Sequence, residues 1–102
     1  MTMVTIINVL AVKPGRMDEF IALQRTFAVD RAGGRSGLVG GRMYRNKEDS
    51  QAVLISQFES AEAQSAILGS DAFKAHVAKL RDVVESSSPN LYEAAYTYGA
   101  FQ

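Results

Sequence analysis

The sequence predicts an α+β domain of order βαββαβ built on an antiparallel four-stranded sheet, and three observations carry that reading. Segments rich in β-branched and aromatic residues alternate with stretches whose apolar residues recur at helical spacing. Turn-forming residues separate them at Pro14-Gly15, at Lys47 to Ser50 and at Ser86 to Asn90. The length, 102 residues, suits a single domain over 1–102, with no linker, repeat or low-complexity tract to mark a second.

Met3 to Lys13 is nearly all apolar, and Val4, Ile6, Ile7, Val9 and Val12 favour a strand. Strict alternation is missing, so both faces of this strand are expected to be buried. Pro14-Gly15 breaks it. Asp18 and Glu19 then stand where a helix N-terminus prefers acidic groups. Met17, Phe20, Ile21, Gln24, Phe27 and Ala28 form one helical face, and Gly33-Gly34 is expected to end that helix.

Leu38 to about Asn46 reads as the second strand, with Gly40-Gly41 predicting a bulge or a close backbone approach. The polar turn KEDS leads into Ala52 to Phe58, the third strand, and the two make a hairpin. Ser60 suits an N-cap for a short helix carrying Ala63, Ile67 and Leu68. Gly69 interrupts it, and Ser70 with Asp71 caps a further segment on which Phe73, His76, Val77, Leu80 and Val84 share a face. SSSPN, Ser86 to Asn90, reads as a loop. Leu91 to Phe101, with Tyr92, Tyr96, Tyr98 and Phe101, reads as the closing strand.

This order gives a ferredoxin-like layout in which the helices cover only one face of the sheet. The strands look apolar on both faces, so the second face needs a cover. Another copy of the same sheet is the economical one, which predicts a homodimer in the form of a dimeric α/β barrel. At this chain length the core is thin, and dimerisation would also add stability.

Composition narrows the function. Lys+Arg and Asp+Glu are both 11, so the chain lacks the electrostatic footprint for nucleic acid or an anionic membrane. With no cysteine there is no disulfide, thiol nucleophile or Cys-based zinc site. One histidine and scattered carboxylates give no metal-ligand spacing, so no metal is expected. The glycine pairs form neither a P-loop nor a dinucleotide fingerprint, and no G-x-S-x-G is present. The N-terminus MTMVTIINVLAVKPG lacks the features of a signal peptide and its apolar run is too short to span a bilayer, so a cytoplasmic location is expected.

Three stretches resemble the antibiotic biosynthesis monooxygenase (ABM) family of dimeric α/β-barrel proteins. INVLAVKPG is similar to the family's first strand and turn. SQFESAEAQSAILGSDAFKAHVAKL is similar to the end of strand three, with its Glu-Ser, and the broken helix that follows. PNLYEAAYTYGA is similar to the closing strand. The resemblance covers nearly the whole chain. It implies a pocket between sheet and helices, and oxidation of phenols, quinols or anthrones by dioxygen as co-substrate, without metal or flavin. Other members degrade haem, and some lack monooxygenase activity.

The family's aromatic-polyketide oxidases place an Asn and a Trp on strand three before the Glu-Ser. Here those positions hold Leu54 and Phe58, and the chain has no Trp. Haem-degrading members use a strand-one Asn, which Asn8 matches, a Trp whose position is Ile67, and an iron-ligating His whose position is Val77. His76 is one residue early, a turn of about 100° on a helix, so haem degradation ranks below quinone-type oxygenation.

His76 aims inward by its spacing with Phe73 and Leu80, and an imidazole near neutrality suits a general base. The plainer reading is a core histidine hydrogen-bonded to backbone. Asn8 is the strongly polar residue of an apolar strand and could hold a substrate oxygen or oxyanion. It could equally satisfy a neighbouring strand. Arg42 and Tyr44 share a face by period two and, with Gln57, could orient a phenolate, although Arg42 could equally be a solvated or interface charge. Phe58 could stack on an aromatic substrate, with Phe20, Phe27 and Ile67 as further walls, against ordinary core packing for each. Tyr92, Tyr96 and Tyr98 read as barrel and dimer packing.

The resulting expectation is a cofactor-independent monooxygenase acting on a small aromatic molecule, with His76 and Asn8 as catalytic residues. The alternatives are a non-catalytic small-ligand-binding or stress-associated dimer, an isomerase or cyclase on the same barrel, and a haem-degrading monooxygenase.

Overall fold

Local chemistry sets the element ends. The computed structural model describes residues 3–32 and 36–101. It contains β1 (Val4–Val12), α1 (Met17–Arg31), β2 (Leu38–Arg45), β3 (Gln51–Phe58), α2 (Ala61–Leu68), α3 (Asp71–Leu80) and β4 (Val84–Tyr92). Ser60 Oγ accepts from the Ala63 N–H at 3.0 Å and Ser70 Oγ from the Phe73 N–H at 3.2 Å, so each serine satisfies one of the orphan donors that open α2 and α3. Asp18 and Glu19 occupy the first turn of α1. Gly33-Gly34, expected to end that helix, lie outside the described residues. Among the described residues no helix is long and apolar enough to cross a membrane.

The four strands form one antiparallel sheet of order β2-β3-β1-β4, the ferredoxin-like α+β fold, with the second helix split into α2 and α3. The β2–β3 hairpin closes on Asn46, whose Oδ1 accepts from the backbone N–H groups of Ser50 and Gln51 at 2.9 Å each. Gly40-Gly41 combines both features expected of it. The β2–β3 register shifts between Leu38 and Gly40, and a Cβ on Gly41 would fall 2.2 Å from the Ile55 carbonyl oxygen.

The last strand differs from the sequence expectation. β4 begins at Val84, which therefore does not extend the α3 face. It runs through the SSSPN stretch, read as a loop, and ends at Tyr92 rather than Phe101. β4 is an edge strand pairing only with β1. That position tolerates serines on the solvent side and a proline without an N–H, here Pro89 opposite Asn8. Beyond it Tyr96, Tyr98 and Phe101 lie exposed outside the sheet.

Strand parity sorts the side chains into two layers. Leu10, Val12 and Ala52 face the helices and build the core with Met17, Phe20 and Val83; Phe20 and Val83 are 0% exposed. The other parity places Ile7, Val9 and Ala11 of β1 beside Val53 and Ile55 of β3 on the opposite face. Among the described residues no helix covers that face, and Val9 is 39% exposed there.

Candidate functional site

Between the sheet and the helices lies a cavity of about 800 Å³, a size that holds a multi-ring aromatic molecule. Its floor is the helix-side parity of β1 and β3: Ile6, Asn8 and Leu10, then Leu54, Ser56 and Phe58. Its walls are Gln24 and Phe27 of α1, Ile67 of α2, and Phe73, His76 and Val77 of α3, with the Ser86 to Leu91 part of β4 along one edge. A smaller concavity, about 480 Å³, lies beside the hairpin turn near Glu48, Asp49 and Glu85, and has neither a histidine nor an aromatic wall.

His76 is buried at the α1–α3 contact. Its Nε2 is hydrogen-bonded to Oε1 of Gln24. The Phe27 ring stacks on the imidazole at 4.3 Å between centroids and 14° between planes, Phe73 meets Phe27 edge-on at 5.8 Å, and the Arg31 guanidinium sits 4.1 Å from the Phe27 centroid. Burial pushes the imidazole below its usual 6.5, and the cations Arg31 and Lys79 push it the same way. Both effects favour the neutral ring at neutral pH.

That shift has a consequence for stability. The unfolded chain takes up the histidine proton at a higher pH than the folded chain does. The stabilisation present above about pH 6.5 is therefore lost as the pH falls through the folded-state value. Urea unfolding of wild type and His76→Ala between about pH 7 and 5 should show a steeper acid loss in wild type. Parallel curves would mean that the histidine is not shifted.

The Oδ1 of Asn8 accepts from the Ser88 backbone N–H at 2.9 Å, tying the edge strand to β1 beside Pro89, and the residue also borders the cavity. The strand-pairing role weighed in the sequence is thus present, in a residue that also borders the cavity.

Of the other residues singled out, Phe58, Phe27 and Ile67 border the cavity with His76 and Asn8. Phe20 lies deeper, wholly enclosed in the core, and is not a cavity wall. Arg42, Tyr44 and Gln57 are on the opposite face of the sheet: Arg42 pairs with Ile55 and Tyr44 with Val53, and an Arg42 Nη1 donates to the Tyr44 hydroxyl at 3.0 Å in the open. They cannot reach a molecule bound on the helix side. His76 and Val77 both border the cavity, so the one-residue offset from the haem-family pattern does not turn His76 away from it. Gln24 was visible only as a member of the α1 face. An amide among Phe20, Ile21 and Phe27 was the available signal.

The family model for antibiotic biosynthesis monooxygenase matches residues 3–79. No curated protein sequence matches the chain. Among solved structures, an asparagine-to-alanine mutant of SnoaB, a cofactor-independent oxygenase from Streptomyces nogalater, is similar with a TM-score of 0.81 and 26% identity over 95% of this chain and 97% of that one. SnoaB itself gives 0.75 and 23% over the same shares. A conserved protein from Methanosarcina mazei shares the fold, with a TM-score of 0.78 and 18% identity over 90% of this chain and 92% of that one.

Proposed function

We propose that this chain, which belongs to the antibiotic biosynthesis monooxygenase family, oxidises a small phenol, quinol or anthrone with dioxygen in the cytoplasm and without a resident cofactor. The observation that carries the reading is the neutral, buried His76 on the wall of an aromatic-lined cavity whose floor includes the Asn8 amide. The similarity to a cofactor-independent oxygenase supports the reaction type.

The reaction needs one thing from the protein before dioxygen acts: a proton must leave the substrate. The anion then gives an electron to dioxygen, the resulting pair joins at a ring carbon, and the O–O bond breaks. One oxygen stays as a new carbonyl and the other leaves as water. The substrate supplies every electron, so no external reductant enters the balance.

His76 takes the proton. A phenol near pKa 10 and an imidazole near 6.5 differ by about 3.5 units, an uphill transfer of about 5 kcal/mol. The lowered pKa of His76 enlarges that gap. An N–H donor at the developing oxyanion recovers about 3 to 4 kcal/mol, and Asn8, which borders the cavity, carries an amide that can serve as that donor. Phe58 and Phe73 offer aromatic surface to the substrate, while Phe27, stacked on His76 and covered by Arg31, holds the base in place.

The working unit is a homodimer in which the open sheet faces pack together, burying Ile7, Val9, Val53 and Ile55 in a barrel. Ile55→Lys puts a charge at the centre of that contact and should convert the dimer to monomer by sedimentation at micromolar concentration. A variant that sediments like wild type would remove this face from the interface.

The functional test is dioxygen uptake by chelator-treated protein against anthrones and hydroquinones. Protein-dependent, metal-independent uptake is expected. Substrate conversion without dioxygen would indicate an isomerase, and ligand-dependent melting without uptake would indicate a binding module.

A further inference from the structure

Gln24 offers His76 a carbonyl oxygen, and a carbonyl oxygen only accepts. In a neutral imidazole one nitrogen carries the hydrogen and the other the lone pair. Pairing with that oxygen calls for the hydrogen on Nε2, with the lone pair on Nδ1. We infer that Gln24 is a positioning residue that locks His76 in the Nε2–H form and makes Nδ1 the base. The base role rests on the function proposed above; the lock itself does not.

The surroundings support a lock. The stacked Phe27 ring holds the imidazole plane, leaving the Gln24 contact to set which nitrogen is protonated. The two residues are 52 apart in sequence, on α1 and α3, so the contact is made only when those helices pack. The choice of an amide also has chemical content. A carboxylate at the same point would accept the same hydrogen but would favour the imidazolium, which cannot take a proton. Around the ring the charged neighbours are Arg31 on α1 and Lys79 on α3, both disfavouring a second proton, while Arg81 and Glu85 border the cavity beyond α3. The neutral Gln24 thus fixes the tautomer without undoing the lowered affinity for protons.

The chain has a single histidine, so nitrogen-15 NMR of histidine-labelled protein reads this ring alone. Wild type at neutral pH should show the Nε2–H tautomer. Gln24→Leu should show a mixture and lower turnover by about 10- to 100-fold, the range for outer partners that orient a functional histidine. Gln24→Glu should keep the Nε2–H tautomer and raise the histidine titration midpoint by about one unit or more. Since the base acts when neutral, the rate profile of Gln24→Glu should move to higher pH by the same shift. An Nδ1–H tautomer in wild type, or an unchanged tautomer in Gln24→Leu, would overturn the lock. The wild-type spectrum and Gln24→Glu decide it even where Gln24→Leu fails to fold. An Nε2–H spectrum together with absent dioxygen uptake would leave the lock standing and remove the oxygenase reading.

Discussion

His76→Ala is expected to lower dioxygen uptake by about 10²- to 10⁴-fold at saturating substrate, the range for loss of a positioned general base. The ring is held by Phe27 on its face and Gln24 at its edge, beside a cavity large enough for a multi-ring substrate. Burial and two nearby cations keep it unprotonated at neutral pH. Removing it leaves the substrate proton without a positioned acceptor. The fold should survive, because the deleted ring borders a cavity rather than filling the core. An oxygen electrode and a melting curve on the same samples check both parts. Full uptake in the variant would remove His76 as the base while leaving the oxygenation itself in place.

Phe20→Ala gives the largest loss of stability, about 3 to 5 kcal/mol. Phe20 is wholly enclosed among Leu10, Val12, Met17, Ala52 and Val83, so truncation loses transfer energy and leaves a void that neighbours on two layers cannot close. In a chain of this size each kcal/mol moves the melting point by roughly 4 to 8 °C, so a fall of more than about 10 °C is expected in calorimetry. A shift below that would mean the core relaxes around the void. The same prediction separates Phe20 from the cavity residues: its loss acts on folding, whereas loss of His76 acts on turnover.

Much of the fold was legible because its signals are local. Ser60 and Ser70 cap the helices the sequence assigned them, and Gly40-Gly41 marks the strand irregularity it suggested. The register of β4 was not legible. A serine-rich stretch with a proline has little strand propensity of its own and pairs only because β1 presents an edge eighty residues away, where Asn8 captures the Ser88 N–H. The site divided along the same line. Period two places Arg42 with Tyr44, but which face they share depends on the bulge near Val39 and on where the helices pack, and both are tertiary. Asn8, Phe58 and His76 converge because β1, β3 and α3 each turn one parity or one stripe towards the same space. Gln24 gained meaning only from its contact with a residue on another helix.

The central claim, that a substrate anion formed in this cavity reacts directly with dioxygen, is tested most directly by the fate of the oxygen atoms. Chelator-treated protein would be given an anthrone under isotopically heavy dioxygen and the product weighed by mass spectrometry. The account predicts one heavy oxygen atom in the new carbonyl, with the other in water. A product that carries no heavy oxygen, or that forms equally well without dioxygen, would contradict it.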